Sequence, residues 1–164
     1  MQISDFSFYI VQRDELSDTS LNKCRKIVET GGKVSTSSYN TDVHTLACAE
    51  YRGDLIGTAA LKKIEGREWY CEQVSQADKA NFTVDTSFQE LGYVRVLDGH
   101  QGQGICQKLV ELLLSESSGP FWATSPDPAM KHILEKCGFK QEGNSWDGKF
   151  SKNISLFVLD KVNT

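Results

Sequence analysis

The sequence predicts a mixed α/β domain in which a sheet is wrapped by helices, and three observations predict it. Strand-like and helical runs follow one another in the order strand, helix, strand, strand, an irregular insert, strand, helix, strand, helix, strand, strand. One of the strand-like runs passes through a glycine-rich turn straight into a helical run, which is the organising unit of such sheets. The 164 residues, 39% of them hydrophobic and 24% charged, suffice for a sizeable core and are too apolar for a disordered chain, so a single domain over residues 1–164 is expected.

Taken in order, the short aromatic and β-branched run Phe6 to Gln12 is an opening strand. A helix follows, with N-cap side chains on offer at Asp18, Thr19 and Ser20. Leu21, Cys24, Ile27 and Val28 lie close to a 3.6-residue period, and Gly31-Gly32 stops the helix. The polar run from Lys33 to Asp42 is expected to be a loop. Val43 to Tyr51 and Leu55 to Lys62 form two strands joined as a hairpin through Arg52-Gly53-Asp54. From Glu65 to Ser87 neither period persists, and a short helix plus loop is expected. Phe88 to Leu97 is a strand whose interior Gly92 suggests a β-bulge or the close approach of another backbone or a ligand.

The sequence DGHQGQGICQ is the glycine turn, and Ile105, Leu109, Leu112 and Leu113 give the helix after it an apolar face. Gly119-Pro120 ends that helix and Phe121 to Ser125 makes a fifth strand. Asp127 is an N-cap with Pro128 in the first turn, followed by the stripe Met130, Ile133, Leu134, Cys137 and the stop Gly138. Two further strands lie within Gln141 to Leu159, on either side of Asp147-Gly148-Lys149.

Composition narrows the function classes. Eighteen Lys plus Arg against 22 Asp plus Glu leave a charge of −4, which provides no basic footprint for nucleic acid, and none is expected as a partner. No run approaches the roughly 20 apolar residues of a membrane span. The N-terminus lacks a basic start followed by an apolar run, so a cytoplasmic location and no membrane partner are expected. Five scattered cysteines without a C-x-x-C pair signal neither a disulfide framework nor a zinc site, and His44, His100 and His132 form no metal pattern; no metal is expected.

At the end of a strand, backbone N–H groups in a turn and at a helix N-terminus converge on a small volume that suits a phosphate or pyrophosphate. Gly99, Gly102 and Gly104 would let the chain approach such an anion. The alternative is a plain tight turn. Two nucleotide motifs fail on spacing, since no Lys-Ser or Lys-Thr follows Gly104 and Gly102-Gln103-Gly104 runs into Ile105-Cys106-Gln107 where a dinucleotide fingerprint needs a third glycine.

The run Val96 to Cys106 resembles motif A of the GNAT acyltransferases, [RQ]-x-x-G-x-[GA], with Gln101 at its first position and Gly104 at its central glycine. Cys106 stands where Gly or Ala is expected. Asp127 to Phe139 is similar to that family's N-x-x-A-x-x-L-Y-x-K-x-G-F block, and the resemblance extends over about residues 43 to 143. It implies a mostly antiparallel central sheet of about six or seven strands flanked by helices and splayed between strands 4 and 5. It implies acetyl-CoA as cosubstrate, with the pyrophosphate on the backbone of Gln101, Gly102, Gln103, Gly104, Ile105 and Cys106. The pantetheine arm would pair with the strand edge near Val94 to Val96, and Asp127 would cap its helix, contact the cofactor arm, or both.

Acyl transfer to an amine needs a base, a polarised carbonyl and a proton for the leaving thiolate. Glu90, six residues before Val96, stands at the spacing where several histone-type members of the family carry their glutamate; the alternative is a strand glutamate in an ion pair. A backbone N–H near Gly92 to Val94 would serve the carbonyl if a bulge frees it. The acid is open, because the family's usual tyrosine position is Leu134; Lys131 or water are alternatives, and His132 points about 200° around the helix. A reactive Cys106 is the sharper of two readings, packing under the helix the other. Trp69, Tyr70 and Phe82, with Glu68, Glu72 and Asp78, would either wall a pocket for a cationic amine or form a surface helix burying one aromatic face. Trp122 and Trp146 are expected in the core or on strand faces.

The resemblance therefore implies an N-acetyltransferase acting on a primary amine of a small molecule or protein by direct attack in a ternary complex. Its rivals are a CoA-binding regulatory module with little catalysis and an interaction domain. Homodimers are common in the family.

Overall fold

The computed structural model describes residues 5–63, 68–77 and 88–160. Seven strands form one sheet in the order β1-β2-β3-β4-β5-β7-β6: β1 Phe6–Gln12, β2 Val43–Tyr51, β3 Asp54–Lys62, β4 Gln89–Val96, β5 Phe121–Ser125, β6 Lys140–Trp146 and β7 Ile154–Leu159. The helices are α1 Asp18–Glu29, α2 Tyr39–Asp42, α3 Glu68–Ala77, α4 Ile105–Glu116 and α5 Pro128–Lys136. β1 with β2, β2 with β3, β5 with β7 and β6 with β7 are antiparallel, whereas β4 and β5 are parallel, as a connection through helix α4 allows. The expected mixed, mostly antiparallel sheet flanked by helices is the fold. The parallel pairing of β4 with β5 is described in two rows, Gln89 with Phe121 and Glu90 with Trp122.

The chain divides into two compact units, Met1–Lys62 with Gly92–Ser117, and Lys63–Leu91 with Ser118–Thr164. In the first, the predicted apolar stripe of α1 is buried: Leu21, Cys24 and Val28 pack with Tyr39, Val43, Leu46, Cys48, Ala60 and Tyr93. Burying each large side chain contributes about 1.5–3 kcal/mol, so this stripe fixes α1 on the sheet. The cap differs from expectation. Ser17, one residue before the candidates, accepts from the Ser20 N–H at 3.1 Å, because the N-cap oxygen must reach back over the third residue of the turn.

The polar run 33–42 is also more ordered than expected. Its end folds into the short helix α2, because Tyr39 drives a ring into the core at 0% exposure and packs at a tilt against Tyr93 with centroids 4.8 Å apart. The hairpin forms as expected, with Arg52 and Gly53 both at positive φ (52° and 89°), the conformation a two-residue loop between twisted strands requires. In the second unit, Cys71 and Val74 of α3 pack on Trp122, Leu156 and Val158, with Tyr70, Phe88 and Trp146 at the margin. Tyr70 is partly buried against this cluster. The side chains of Glu68 and Trp69, and residues Asp78 and Phe82, lie outside what the structure describes.

Candidate active site

The glycine turn is where its sequence puts it. After β4, one 3-10 turn over Asp98–His100 leads into Gln101 and then α4, whose N-cap is Gly104 at φ 77° with no side-chain cap. Gly102 also has positive φ, 80°. A Cβ built at Gly99, Gly102 or Gly104 meets nothing within 4 Å, so the space above the turn is open and the glycines are needed for their dihedrals. The first-turn amides of a helix have no intrahelical acceptor, and here a bare glycine precedes them, the arrangement that an anion such as a pyrophosphate fits.

Side chains brace the turn from below. Gln101 Nε2 donates to the Val96 carbonyl at 3.0 Å, tying the turn to the end of β4. Arg95 donates to Asp98 Oδ1 at 2.9 Å and through Nε to Thr30 Oγ1 at 3.1 Å, which places its guanidinium at the C-terminal end of α1, where the helix dipole favours a cation. His100 faces inward, its ring 5.2 Å from Tyr51 and 6.1 Å from Phe6, so the turn is anchored on the first hairpin. α4 is held against β3 through Gly57, where an added Cβ would come within 3.0 Å of Val96 Cγ2 and 3.3 Å of Leu109 Cδ1. Cys106 is partly buried on the helix behind the turn.

The irregularity expected near Gly92 is present one residue later. Tyr93 has φ 53°, the left-handed region that a bulky side chain avoids, at a strain of about 1–3 kcal/mol. Lys62 crosses the bare Cα of Gly92, since an added Cβ there would lie 2.5 Å from Lys62 Cε, and the Lys62 ammonium sits 4.2 Å from the Tyr93 ring centroid. One lysine therefore meets two successive residues of β4, a departure from the alternation of a regular strand. Gly92 thus supplies the room and Tyr93 the unusual dihedral. No residue-type rule would select Tyr93 for it.

In the second unit, Glu90 is buried at 3% exposure and shares a row with Trp122, itself at 0%. Asp127 caps α5, accepting from the Ala129 N–H at 3.0 Å, and Gly138 closes that helix at φ 97°. Leu134 is fully buried, so the family's tyrosine position is a core position in this chain. Lys131 donates to the Asn153 carbonyl at 2.7 Å and His132 is exposed. Val94 and Val96 lie in the C-terminal half of β4, Val96 buried and Val94 partly so. Sequence reasoning missed one polar pair here: Tyr70 of α3 and Thr124 of β5, whose hydroxyls are 3.2 Å apart. Both residues are unremarkable in sequence, and only the packing of α3 on β5 brings them together.

Among the described residues no group of three or more His, Cys, Asp and Glu could hold a metal ion, and no helix is long and apolar enough to cross a membrane.

Comparison with solved structures finds the same fold repeatedly. Escherichia coli ElaA superposes with a TM-score of 0.70 at 11% identity, covering 94% of this chain and 99% of that one. Arabidopsis thaliana NAA60 in complex with acetyl-CoA gives 0.64 at 12% identity, covering 93% and 99%. The diaminobutyrate acetyltransferase EctA of Paenibacillus lautus, in complex with L-2,4-diaminobutyric acid and coenzyme A, gives 0.60 at 13%, covering 96% and 98%. A search of curated protein sequences found no match. The model of the acetyltransferase (GNAT) family matches residues 13–139, a span that contains the glycine turn, strand β4 and the α5 block together. With more than half the sequence matched and the fold shared, the chain belongs to the acetyltransferase (GNAT) family.

Proposed function

We propose that this chain is a single catalytic domain that transfers an acetyl group from acetyl-CoA to a primary amine by direct attack in a ternary complex. The observation that carries the reading is the open glycine turn at the start of α4, within a chain of this family. Acetyl-CoA supplies an acyl group activated as a thioester and a thiolate leaving group. The amides from Gln101 to Cys106, with the α4 dipole behind them, would hold its pyrophosphate, which explains why Gln103 and Cys106 need no particular side chain there. Val94 and Val96 offer strand-edge backbone to the pantetheine arm, and Asp127 orders the start of α5.

The distorted backbone at Gly92 and Tyr93 departs from regular pleating, and an amide released there would donate to the developing oxyanion. Glu90 would take the proton of the attacking amine. Supporting a second reading, a CoA-binding module with little catalysis, is the burial of Leu134 in the core, which removes the family's usual tyrosine from this chain.

Two measurements separate these readings. Calorimetric titration with acetyl-CoA tests the cofactor, and release of CoA thiol with spermidine, L-lysine and a short peptide as acceptors tests transfer. Glu90→Gln is expected to bind acetyl-CoA as the wild type does and to lose about 100-fold or more in kcat, the scale of general base catalysis. Tight binding without transfer to any amine would favour the binding module. No binding at all would remove both.

A further inference from the structure

Glu90 is 3% exposed, so a base at this position is served by neighbouring groups that carry the proton to it. In the paired row, Glu90 of β4 and Trp122 of β5 stand abreast, so their side chains leave the sheet on the same face. The Trp122 ring lies 5.8 Å from the Tyr70 ring, which identifies that face as the one covered by α3. Thr124, two residues beyond Trp122, returns to the same face, and its hydroxyl lies 3.2 Å from the Tyr70 hydroxyl. A second observation marks the spot: Trp122 Nε1 is buried with no hydrogen-bond partner, an N–H donor left for a bound molecule.

We propose that the Tyr70–Thr124 hydroxyl pair is the proton relay of this site, receiving the proton of the acceptor amine and passing it to buried Glu90. The inference rests on the acetyltransferase reading and on Glu90 as its base. Tyr70 and Thr124 are both partly buried and more open to solvent than Glu90. With a strand spacing of about 4.8 Å and a two-residue advance of about 6.6 Å, Thr124 is about 8 Å from Glu90 between Cα atoms, so the relay includes one bridging water, for which the unpartnered Trp122 Nε1 would be a donor.

The amine nitrogen forms its bond to the acyl carbon while the C–S bond breaks, its electron pair leaving on sulfur. The N–H proton moves to the Tyr70 oxygen as the Tyr70 proton passes to the Thr124 oxygen, the Thr124 proton to the water, and a water proton to the Glu90 carboxylate. Tyr70 stays neutral, Glu90 is protonated and later returns its proton to solvent, and the thiolate is protonated from solvent. Tyr70 and Thr124 are positioning and relay residues for this base.

Tyr70→Phe keeps the ring on Trp122 and removes the hydroxyl. It is expected to lower kcat about tenfold or more with the KM for acetyl-CoA unchanged. Thr124→Val should lower kcat less, and Thr124→Ser should restore it. The solvent deuterium isotope effect on kcat should fall in Tyr70→Phe, because fewer protons then move together in the transfer step, a change that a merely structural role would not produce.

Melting temperatures close to the wild type show that packing is intact. If Tyr70→Phe and Thr124→Val keep the wild-type kcat and solvent isotope effect while Glu90→Gln is inactive, the relay is wrong and the base stands. Should the wild type release no CoA from acetyl-CoA with spermidine, L-lysine or peptide, the acetyltransferase reading and the relay fall together.

Discussion

The glycine turn and the face around Glu90 are built on opposite plans. The turn is made of backbone: Gly102 and Gly104 at positive φ, a bare N-cap and the amides of the first turn of α4. The face of the second unit is made of side chains from three elements, Glu90 of β4, Trp122 and Thr124 of β5, and Tyr70 of α3. A backbone site depends on where glycine is allowed and tolerates other substitutions. A side-chain site depends on each hydroxyl and carboxylate, and on the packing that aligns them.

The comparison breaks most easily at the turn. Gly104→Glu places a Cβ residue at φ 77° and a carboxylate where the pyrophosphate would lie, at a strain of about 1–2 kcal/mol plus like-charge repulsion of similar size. Acetyl-CoA affinity is expected to fall by about 100-fold or more in calorimetry, with folding intact because the added Cβ meets nothing within 4 Å. Unchanged affinity would move the anion site away from the turn.

A smaller effect sharpens the contrast within the second unit. Leu134→Tyr restores the side chain of the family block, but into a fully buried position, where overpacking costs about 1–3 kcal/mol. Urea denaturation should show that loss without a gain in kcat. A gain in kcat would mean that position 134 reaches the reacting atoms.

The smallest effect concerns Tyr39, whose buried hydroxyl has no hydrogen-bond partner among the described residues. Burial pushes its phenol above the ordinary 10.0, and Tyr9 and Cys48 are pushed up as well, Tyr9 by burial and Cys48 by the shared S–H···S contact with Cys24 at 3.9 Å, together with burial. Such groups ionise in the unfolded chain first, so their stabilisation is complete below their ordinary pKa and is lost as the pH rises through and beyond it. Tyr39→Phe is expected to leave stability at neutral pH within about 1 kcal/mol and to make the alkaline fall in Tm shallower. A loss well beyond that at neutral pH would show that the hydroxyl is satisfied after all.

Much of this was legible in the sequence, for identifiable reasons. The α1 stripe Leu21, Cys24, Ile27, Val28 is periodic because a helix repeats, and all four residues are buried. Asp127, Pro128 and Gly138 mark α5 because caps have few chemical solutions. Less was legible wherever the decisive neighbour is remote. The polar stretch that hides Tyr39 reads as a loop until β4 supplies Tyr93 beneath it. Gly92 points to an irregularity, yet the left-handed dihedral falls on its neighbour Tyr93, with Lys62 lying over the bare Cα of Gly92.

The sequence by itself determined the order of elements, the glycine turn and the departure at Leu134, since each rests on local periodicity, backbone permissiveness or residue identity. Only the tertiary structure decided that Glu90 is buried beside Trp122, that Tyr70 meets Thr124, and that Leu134 is core. These depend on strand register and on the seating of α3, which contacts distant in sequence set and no local pattern encodes.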